Sequence, residues 1–350
     1  MLYIDLSNGA EYLKYPYISQ AMSEFFESET QFGDQTLLYF FHPIQKFVIC
    51  GVNQDLEAEL NLDYIHEHDI TVMRRGAGGG AVYVDPGNLT YCFVDTDRGN
   101  NYQNFAYYAQ TALALLQELG VPAEMGGRND LTVDGKKFSG MSSARVGDRF
   151  SCGGTLMVDV DLDAASLALH PLKAKLRSKG VKSVHSRVTN LRQYFAPQYQ
   201  DITLEELQTL FIKKAFGVTD LAQVPTYRMQ TADWERMLAL AKKKYGSPAW
   251  IQGPKRPGTQ FHARHFAGLG TVEASFSVEK GILTQLKLYG DFSLASGNLQ
   301  LVEAQLLGVP FHKENLVEAL QQADLKHNLG AFQPAELAEM LLETQYDEEV

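Results

Sequence analysis

The chain has 350 residues, of which 45% are hydrophobic, and its formal net charge at pH 7 is −11. This length and composition predict a globular protein of about two domains, and the acidic excess argues against nucleic acid or a membrane as a partner. Three cysteines form no disulfide framework. The sequence shows neither a signal-peptide pattern nor an apolar run of about 18 residues, so we expect a cytoplasmic protein.

The N-terminal part of the chain mixes strands and helices without a regular alternation. The predicted strands cover residues 36–42, 46–52, 70–75, 81–84, 89–94 and 149–161, and the predicted helices cover 18–29, 62–69, 104–119 and a region from 166. A hairpin over residues 130–140 turns at Asp134-Gly135, and the turn 85–88 joins two of the strands. This order is typical of an α+β fold and not of repeated βαβ units.

A change of composition indicates a second domain. Helices are predicted at 204–217 and 233–246, and a stretch rich in proline and glycine follows them. That stretch predicts a boundary near residues 248–258. Strands within 271–292 and helices at 314–324 and 334–344 come after it. We therefore expect a large domain of residues 1–250 and a small α+β domain of residues 258–350.

Four glycines stand within five positions after two arginines, in the stretch RRGAGGGAVYV that begins at Arg74 and Arg75. Glycine lets a ligand approach the backbone closely, successive amides can form an anion-binding nest, and arginine recognises phosphate. A dinucleotide-binding loop would need a helix to follow, whereas a strand follows here, and the chain contains no P-loop motif. A purely structural turn is the remaining alternative. We favour a phosphate site.

Three motifs in this order resemble those of the lipoate–protein ligase family: RRGAGGGAVYVDPGN, GRNDLTVDGKKFSG and KGVKSVHSRVTNL. KLYGDF, late in the chain, is similar to the family's C-terminal accessory domain. The resemblance implies a mixed β-sheet flanked by helices, a fold shared with biotin protein ligases, with a small C-terminal α+β domain. It also implies that lipoic acid and Mg-ATP react to lipoyl-AMP and that the lipoyl group passes to a lysine of an acceptor protein.

The resemblance implies roles for residues in all three motifs. Site positions for the lipoyl chain and the acyl phosphate are Arg74, Arg75, Gly78, Gly79, Gly80 and Ala81. Asn129 and Asp130 are expected beside the nucleotide, with Asp130 at the magnesium ion. Lys137 matches the family's essential lysine, with Ser139 and Gly140 in the same motif, whereas Lys136 is expected to be solvated. The segment that closes over the adenylate is matched by Lys182, Ser183, Arg187 and Asn190.

The implied partner is a lipoyl-acceptor protein, either a lipoyl domain of a 2-oxoacid dehydrogenase or a glycine-cleavage H protein. We expect the enzyme to be a monomer and to dock its acidic acceptor on a local basic face. Two lysine-rich stretches, 173–182 and 242–245, are candidates for that face.

The chain departs from the family pattern at two places. Val84 stands where most members have histidine, and Ser151-Cys152-Gly153 replaces a His-His-Gly triplet. Either the pocket wall tolerates the change, or the acyl or acceptor preference differs. Cys152 also opens an alternative, in which an ATP-independent lipoyl or octanoyl transferase carries the acyl group as a thioester. A carrier-binding protein without turnover is a third hypothesis.

Overall fold

The computed structural model describes residues 1–99, 101–169, 187–267, 269–292 and 297–343. Within them the strands are β1 (Leu2–Asp5), β2 (Leu37–Phe41), β3 (Phe47–Cys50), β4 (Thr71–Arg74), β5 (Val82–Val84), β6 (Asn88–Thr96), β7 (Glu124–Met125), β8 (Asp130–Val133), β9 (Lys136–Val146), β10 (Arg149–Met157), β11 (Thr226–Arg228), β12 (Gln260–Phe266), β13 (Gly270–Glu279) and β14 (Ile282–Gly290).

Helices flank these strands and cover their faces. They are α1 (Ala10–Leu13), α2 (Ile18–Ser28), α3 (Leu56–Glu59), α4 (Leu62–Glu67), α5 (Phe105–Glu118), α6 (Leu162–Ala168), α7 (Leu204–Phe216), α8 (Thr231–Leu240), α9 (Pro248–Gln252), α10 (Leu299–Leu306), α11 (Lys313–Gln322), α12 (Leu325–Asn328) and α13 (Pro334–Leu342). A π-helical turn, Ala241–Tyr245, continues α8. In the part of the chain that is described, no helix is long and apolar enough to span a membrane.

The largest sheet is mixed and has the strand order β11-β1-β2-β6-β10-β9-β8-β7. Its first strands, β11, β1 and β2, run parallel to one another, and the ladder is antiparallel from β2 onward. Helices α5 and α7 pack on one face of this sheet, and α2 and α8 pack on the other. The predicted α+β class with a mixed sheet between helices is confirmed.

A small second sheet, β4-β3-β5, lies beside the α2 face. It contains the strand that precedes the glycine run and the strand that follows it. The predicted turn 85–88 does join β5 to β6, but the two strands belong to different sheets. The Asp85 carboxylate accepts hydrogen bonds from the amides of Gly87 (2.8 Å) and Asp161 (2.9 Å), which fixes this change of sheet.

The hairpin β8–β9 turns at Asp134-Gly135, as predicted. Both residues have positive φ, 51° and 71°, which is the geometry of a tight two-residue turn that asparagine, aspartate and glycine tolerate best. One extra residue in β9 interrupts the register, because Leu131 pairs with Ser139 and Thr132 pairs with Lys137. This β-bulge lets Lys137 and Gly140 face the same side of the sheet, although residues three apart alternate in a regular strand.

The C-terminal part forms its own core, in which the sheet β12-β13-β14 packs against α10, α11, α12 and α13. It contacts the N-terminal part directly, and the linker that precedes it contacts both parts. The amide of Gly290 donates to the carbonyl of Asn53 (2.8 Å), and Arg256 forms an ion pair with Asp55. The hydroxyl of Tyr289 donates to the carbonyl of Pro254 at 3.1 Å.

Candidate functional site

A cavity of about 580 Å³ lies between the α2 face of the large sheet, the loop after β4 and the C-terminal part. Its walls come from strands β6, β9 and β10, from helix α2 and from the glycine run. Residues near α9 and four residues of the C-terminal part, His265, Leu269, Gly270 and Asp291, complete the lining. One ligand could therefore contact all three sequence motifs and the second domain at once.

Arg75 organises the glycine run from within. Its guanidinium donates to the carbonyls of Gly78 (2.7 Å), Gly80 (2.9 Å) and Ile49 (3.1 Å). These bonds fix the orientation of the loop's peptide units, which an anion-binding loop requires. Burial lowers the pKa of Arg75 to about 10, so the side chain remains charged at neutral pH.

The predicted glycines do not all have the same surroundings. Arg75, Gly79, Gly80 and Ala81 line the cavity, whereas Gly78 lines a smaller cavity of about 250 Å³ beside it. Gly79 has a φ of +95°, a backbone conformation that is strained for residues with a side chain.

Arg74 lies behind the cavity and does not line it, which corrects our expectation for this residue. It is 2% exposed, and the nitrogens of its guanidinium donate hydrogen bonds to backbone carbonyls. Those nearest to its nitrogens belong to Gln54 (2.7 Å), Gly51 (2.8 Å), Trp250 (3.1 Å), Ile251 (3.1 Å) and Gln252 (3.1 Å). Arg74 thus caps the C-terminus of α9 and ties it to the loop after β3.

The cavity contains a charged cluster of Asp130, Lys137 and Arg187. The Asp130 carboxylate accepts from the Nζ of Lys137 through one oxygen (2.7 Å) and from the Nη2 of Arg187 through the other (2.6 Å). The three side chains are 18–29% exposed. A short bridge holds the segment of Arg187 on β9, because the amide of Lys137 donates to the carbonyl of Arg187 at 2.9 Å. Residues of two distant motifs therefore meet at one carboxylate.

Gly140 provides the space in which Lys137 lies. A Cβ at residue 140 would stand 2.7 Å from the Nζ of Lys137, well inside van der Waals contact. Asn129 also lines the cavity, and its side-chain amide donates to the carbonyl of Met141 at 2.7 Å. That bond holds the residue before β8 against strand β9. Ser139 is fully buried outside the cavity lining, so it supports the strand rather than the ligand space.

The adenylate segment is described only in part. Lys182 and Ser183 lie outside the described residues, as does the basic stretch 173–182. Arg187 lines the cavity. Asn190 does not: its side chain exchanges two hydrogen bonds with the backbone of Val160, at 3.0 and 2.9 Å, and so anchors the end of the segment.

Cys152 points away from the cavity. It is fully buried in the core beneath α5 and α7, and burial strongly raises the pKa of its thiol. Its neighbours Ser151 and Gly153 line the cavity instead, because side chains alternate along β10. A buried, protonated thiol on the opposite face cannot act as the thioester nucleophile.

The sequence analysis missed many cavity residues, and five of them lie on α2. Ser19, Ser23 and Glu27 recur every four residues and therefore share one face of this helix. That spacing was visible in the sequence, but a polar stripe on a helix usually indicates a solvated face. Here the stripe is turned inward and lines the same cavity as Val84.

The lysine side chains of the stretch 242–245 point in two directions. Lys242 and Lys243 are exposed, whereas Lys244 lines the cavity, forms an ion pair with Glu24 and lies 4.5 Å from the ring centre of Trp250. Only Lys242 and Lys243 of this stretch therefore stay candidates for a docking face.

The described residues form no resident metal site, but they include a carboxylate that could accompany a magnesium ion carried by phosphates. Among the described residues, no three histidine, cysteine, aspartate or glutamate side chains converge on a point that could hold a metal. Magnesium in nucleotide sites needs only one or two protein carboxylates, because phosphates and water complete its shell. Asp130, between two cations, supplies such a carboxylate.

Comparison with known proteins gives consistent matches over nearly the whole chain. The family profile described as "Lipoyl protein ligase A/B catalytic domain" matches residues 15–216, and that described as "Bacterial lipoate protein ligase C-terminus" matches residues 258–341. A lipoate–protein ligase of Streptococcus pyogenes serotype M5 (strain Manfredo) is 37% identical over 315 residues, which cover 89% of this chain and 91% of the relative.

Solved structures agree with the fold. P. falciparum LipL1, solved in complex with lipoate, superposes with a TM-score of 0.67 at 21% identity, covering 88% of this chain and 91% of that one. The bipartite lipoate protein ligase of Thermoplasma acidophilum, analysed with its E2 lipoyl domain, gives a TM-score of 0.58 at 26% identity and covers 74% of this chain and 97% of that one.

Proposed function

This chain belongs to the lipoate–protein ligase family, and we propose that its cavity activates lipoic acid with ATP to lipoyl-AMP and then transfers the lipoyl group to a lysine of an acceptor protein. The observation that carries the proposal is the cluster of Asp130, Lys137 and Arg187 in the cavity. Two distant motifs supply its members, and it offers two cations to a reaction between two anions.

In the first step the carboxylate of lipoic acid attacks the α-phosphorus of ATP, and pyrophosphate leaves. Two anions repel each other, so the Lys137 ammonium is placed to hold them together and to neutralise charge that develops at phosphorus. Arg187 supplies a second, planar cation for phosphate oxygens. Asp130 holds both cations in position, and it would also hold a magnesium ion, which supplies further neutralisation of the phosphates when it is bound.

In the second step the amine of the acceptor lysine attacks the mixed anhydride and AMP leaves. The anhydride is sensitive to hydrolysis, so water must be kept away from it. Residues of the C-terminal part line the same cavity, which supports a covering role for a domain of residues 258–350 over a catalytic domain of residues 1–250. The site positions Lys182 and Ser183 stay part of this proposal, and Asn190 stays in it as the residue that anchors the end of the segment.

We propose a lipoyl domain or a glycine-cleavage H protein as the acceptor, since the bipartite T. acidophilum ligase was analysed with an E2 lipoyl domain. Because the reaction consumes ATP, we propose a cytoplasmic location, and we propose that the enzyme is a monomer. Because such acceptors are acidic, we propose that it docks them through Lys242 and Lys243. The thioester transferase has little support, because the thiol of Cys152 is buried outside the cavity.

The test is lipoate-dependent exchange of labelled pyrophosphate into ATP with Mg²⁺, comparing wild type, Lys137→Ala and Lys136→Ala. Lys136 is the matched control because it is the exposed neighbour of Lys137 on the same strand. We expect the Lys137→Ala variant to lose at least about a thousandfold in exchange rate, and the control to keep its rate. Absence of exchange in the wild type, or full exchange in Lys137→Ala, would refute the proposal.

A further inference from the structure

The cavity has a second carboxylate with quite different surroundings. Glu27 on α2 is 4% exposed and lines the cavity, and its Oε1 has no hydrogen-bond partner among the described residues. A buried oxygen without a hydrogen-bond partner costs folding free energy. The ligase chemistry proposed above does not use Glu27, so its burial needs another reason.

Glu27 lies away from the reacting groups. It interacts with Ser151, which pairs across the sheet with Ala144, whereas Asp130 pairs with Gly140. Ala144 lies four positions beyond Gly140 on β9, which is about 13 Å along the strand. A lipoyl chain whose carboxylate meets Lys137 can therefore extend along β9 and bring its ring towards Glu27.

Other polar groups lie at this end of the cavity. The hydroxyls of Ser23 and Tyr39 are 2.9 Å apart, and the side chains of Cys92 and Ser151 also line the space. A pocket that received only an apolar group would need none of these hydroxyl and thiol groups. Their presence indicates that the far end receives atoms that can form hydrogen bonds.

We propose that Glu27 selects acyl chains with hydrogen-bonding atoms at the end remote from the carboxylate, namely the sulfur atoms of a lipoyl chain, against a plain hydrocarbon chain such as octanoate. The inference rests on the proposed ligase function and names its substrate preference. Sulfur is a weak acceptor that a protonated carboxyl can reach, while octanoate would leave the same carboxyl unsatisfied. Sites built around a buried polar group reject analogues that cannot pair with it.

Protonation of Glu27 decides whether it can donate. Burial raises its pKa to about 7, and the charge of Glu24 adds to the effect, while hydrogen bonding to Ser151 and the charge of Lys244 oppose it. The other titratable groups that interact with Glu27 are Tyr39, Cys92, Tyr102, Arg149 and Tyr245. The neutral carboxyl donates, so preference for lipoate should weaken as pH rises through about 7.

The experiment measures kcat/KM for lipoate and for octanoate in pyrophosphate exchange, and takes their ratio from pH 6 to pH 8.5. The variants are Glu27→Leu, which cannot form hydrogen bonds, and Glu27→Gln, which donates at every pH. Glu205→Gln, an exposed position on α7, is the control. We expect the ratio to fall roughly tenfold in Glu27→Leu and to lose its pH dependence in Glu27→Gln.

A ratio unchanged in Glu27→Leu, or a wild-type ratio that is flat across pH 7, would overturn the inference. Thermal unfolding of each variant checks the fold, and Glu27→Gln, which keeps the shape of the side chain, gives the answer if Glu27→Leu does not fold. Failure of the wild type to exchange with either acid would refute the ligase function itself. The two failures are therefore distinguishable.

Discussion

The two ends of the cavity use the same chemical group in opposite ways. At one end the Asp130 carboxylate is paired with two cations, Lys137 at 2.7 Å and Arg187 at 2.6 Å. At the other end one oxygen of Glu27 has no hydrogen-bond partner among the described residues, and burial raises the pKa of Glu27 to about 7. The first environment favours a carboxylate that holds charge in place. The second favours a neutral carboxyl that can donate a hydrogen bond, so environment and not residue type separates their roles.

The largest effect is expected when the negative charge of Asp130 is removed. Asp130→Asn keeps the shape of the side chain but no longer holds Lys137 and Arg187, so we expect pyrophosphate exchange to fall by about 10³-fold. Asp134→Asn, in the turn of the same hairpin, is the matched control, because asparagine accepts its positive φ. Exchange in Asp130→Asn within about tenfold of wild type would contradict a positioning role for this carboxylate.

The opposite end can be tested through stability and pH. A carboxyl whose pKa is raised from 4.5 to about 7 in the folded state binds its proton more tightly there than in the unfolded chain. The free energy of unfolding should therefore fall as pH rises from about 4.5 to 7, by up to about 3 kcal/mol from this group alone.

Urea unfolding of wild type and Glu27→Gln at pH 5 and pH 8 measures this effect. The variant should gain on the wild type between the two pH values, because it has no proton to lose. Glu205→Gln should follow the wild type at both. A constant difference between wild type and Glu27→Gln would show that Glu27 titrates near its usual pKa.

A smaller change sharpens the paired end without removing a charge. Gly140→Ala places a methyl group where the Nζ of Lys137 now lies, 2.7 Å away, so the lysine must shift. We expect kcat for exchange to fall about ten- to a hundredfold, since misplacement by about 1 Å can cost 10²-fold. The control is Gly147→Ala, at the exposed turn that follows β9, where a Cβ meets nothing within 4 Å and the strain of alanine at a φ of +60° does not touch the site. Equal kcat values in the two variants would contradict the packing argument.

The smallest effect is expected at Cys152, which belongs to neither end. Cys152→Ala should leave pyrophosphate exchange and acyl transfer within about twofold of wild type, because the thiol faces the core. It should lower the free energy of unfolding by roughly 1 kcal/mol through the small cavity that it leaves. Loss of transfer to the acceptor with a preserved fold would instead revive the thioester mechanism.

The sequence alone identified the family and the fold class, and it singled out the residues that the structure brings together in the charged cluster. Arg75, Asp130, Lys137 and Arg187 stand in local motifs, and local motifs can be identified without knowing which strands pair. The tight turn at Asp134-Gly135 was also local, since its two residues have positive φ. The structure contains these features as predicted because each depends on only a few neighbouring residues.

Tertiary structure decided the rest. Adjacent arginines were given one role, but Arg74 binds the carbonyls of α9, some 176 residues away in sequence, while Arg75 binds the glycine run. The strands before and after the turn 85–88 pair in different sheets, and β1 pairs with β11 across more than half of the chain. The polar stripe of Ser19, Ser23 and Glu27 gave no sign in the sequence that it lines a cavity, because only the packing of α2 against the sheet encloses it. Desolvation and long-range pairing are properties of the assembled fold, and no local pattern encodes them.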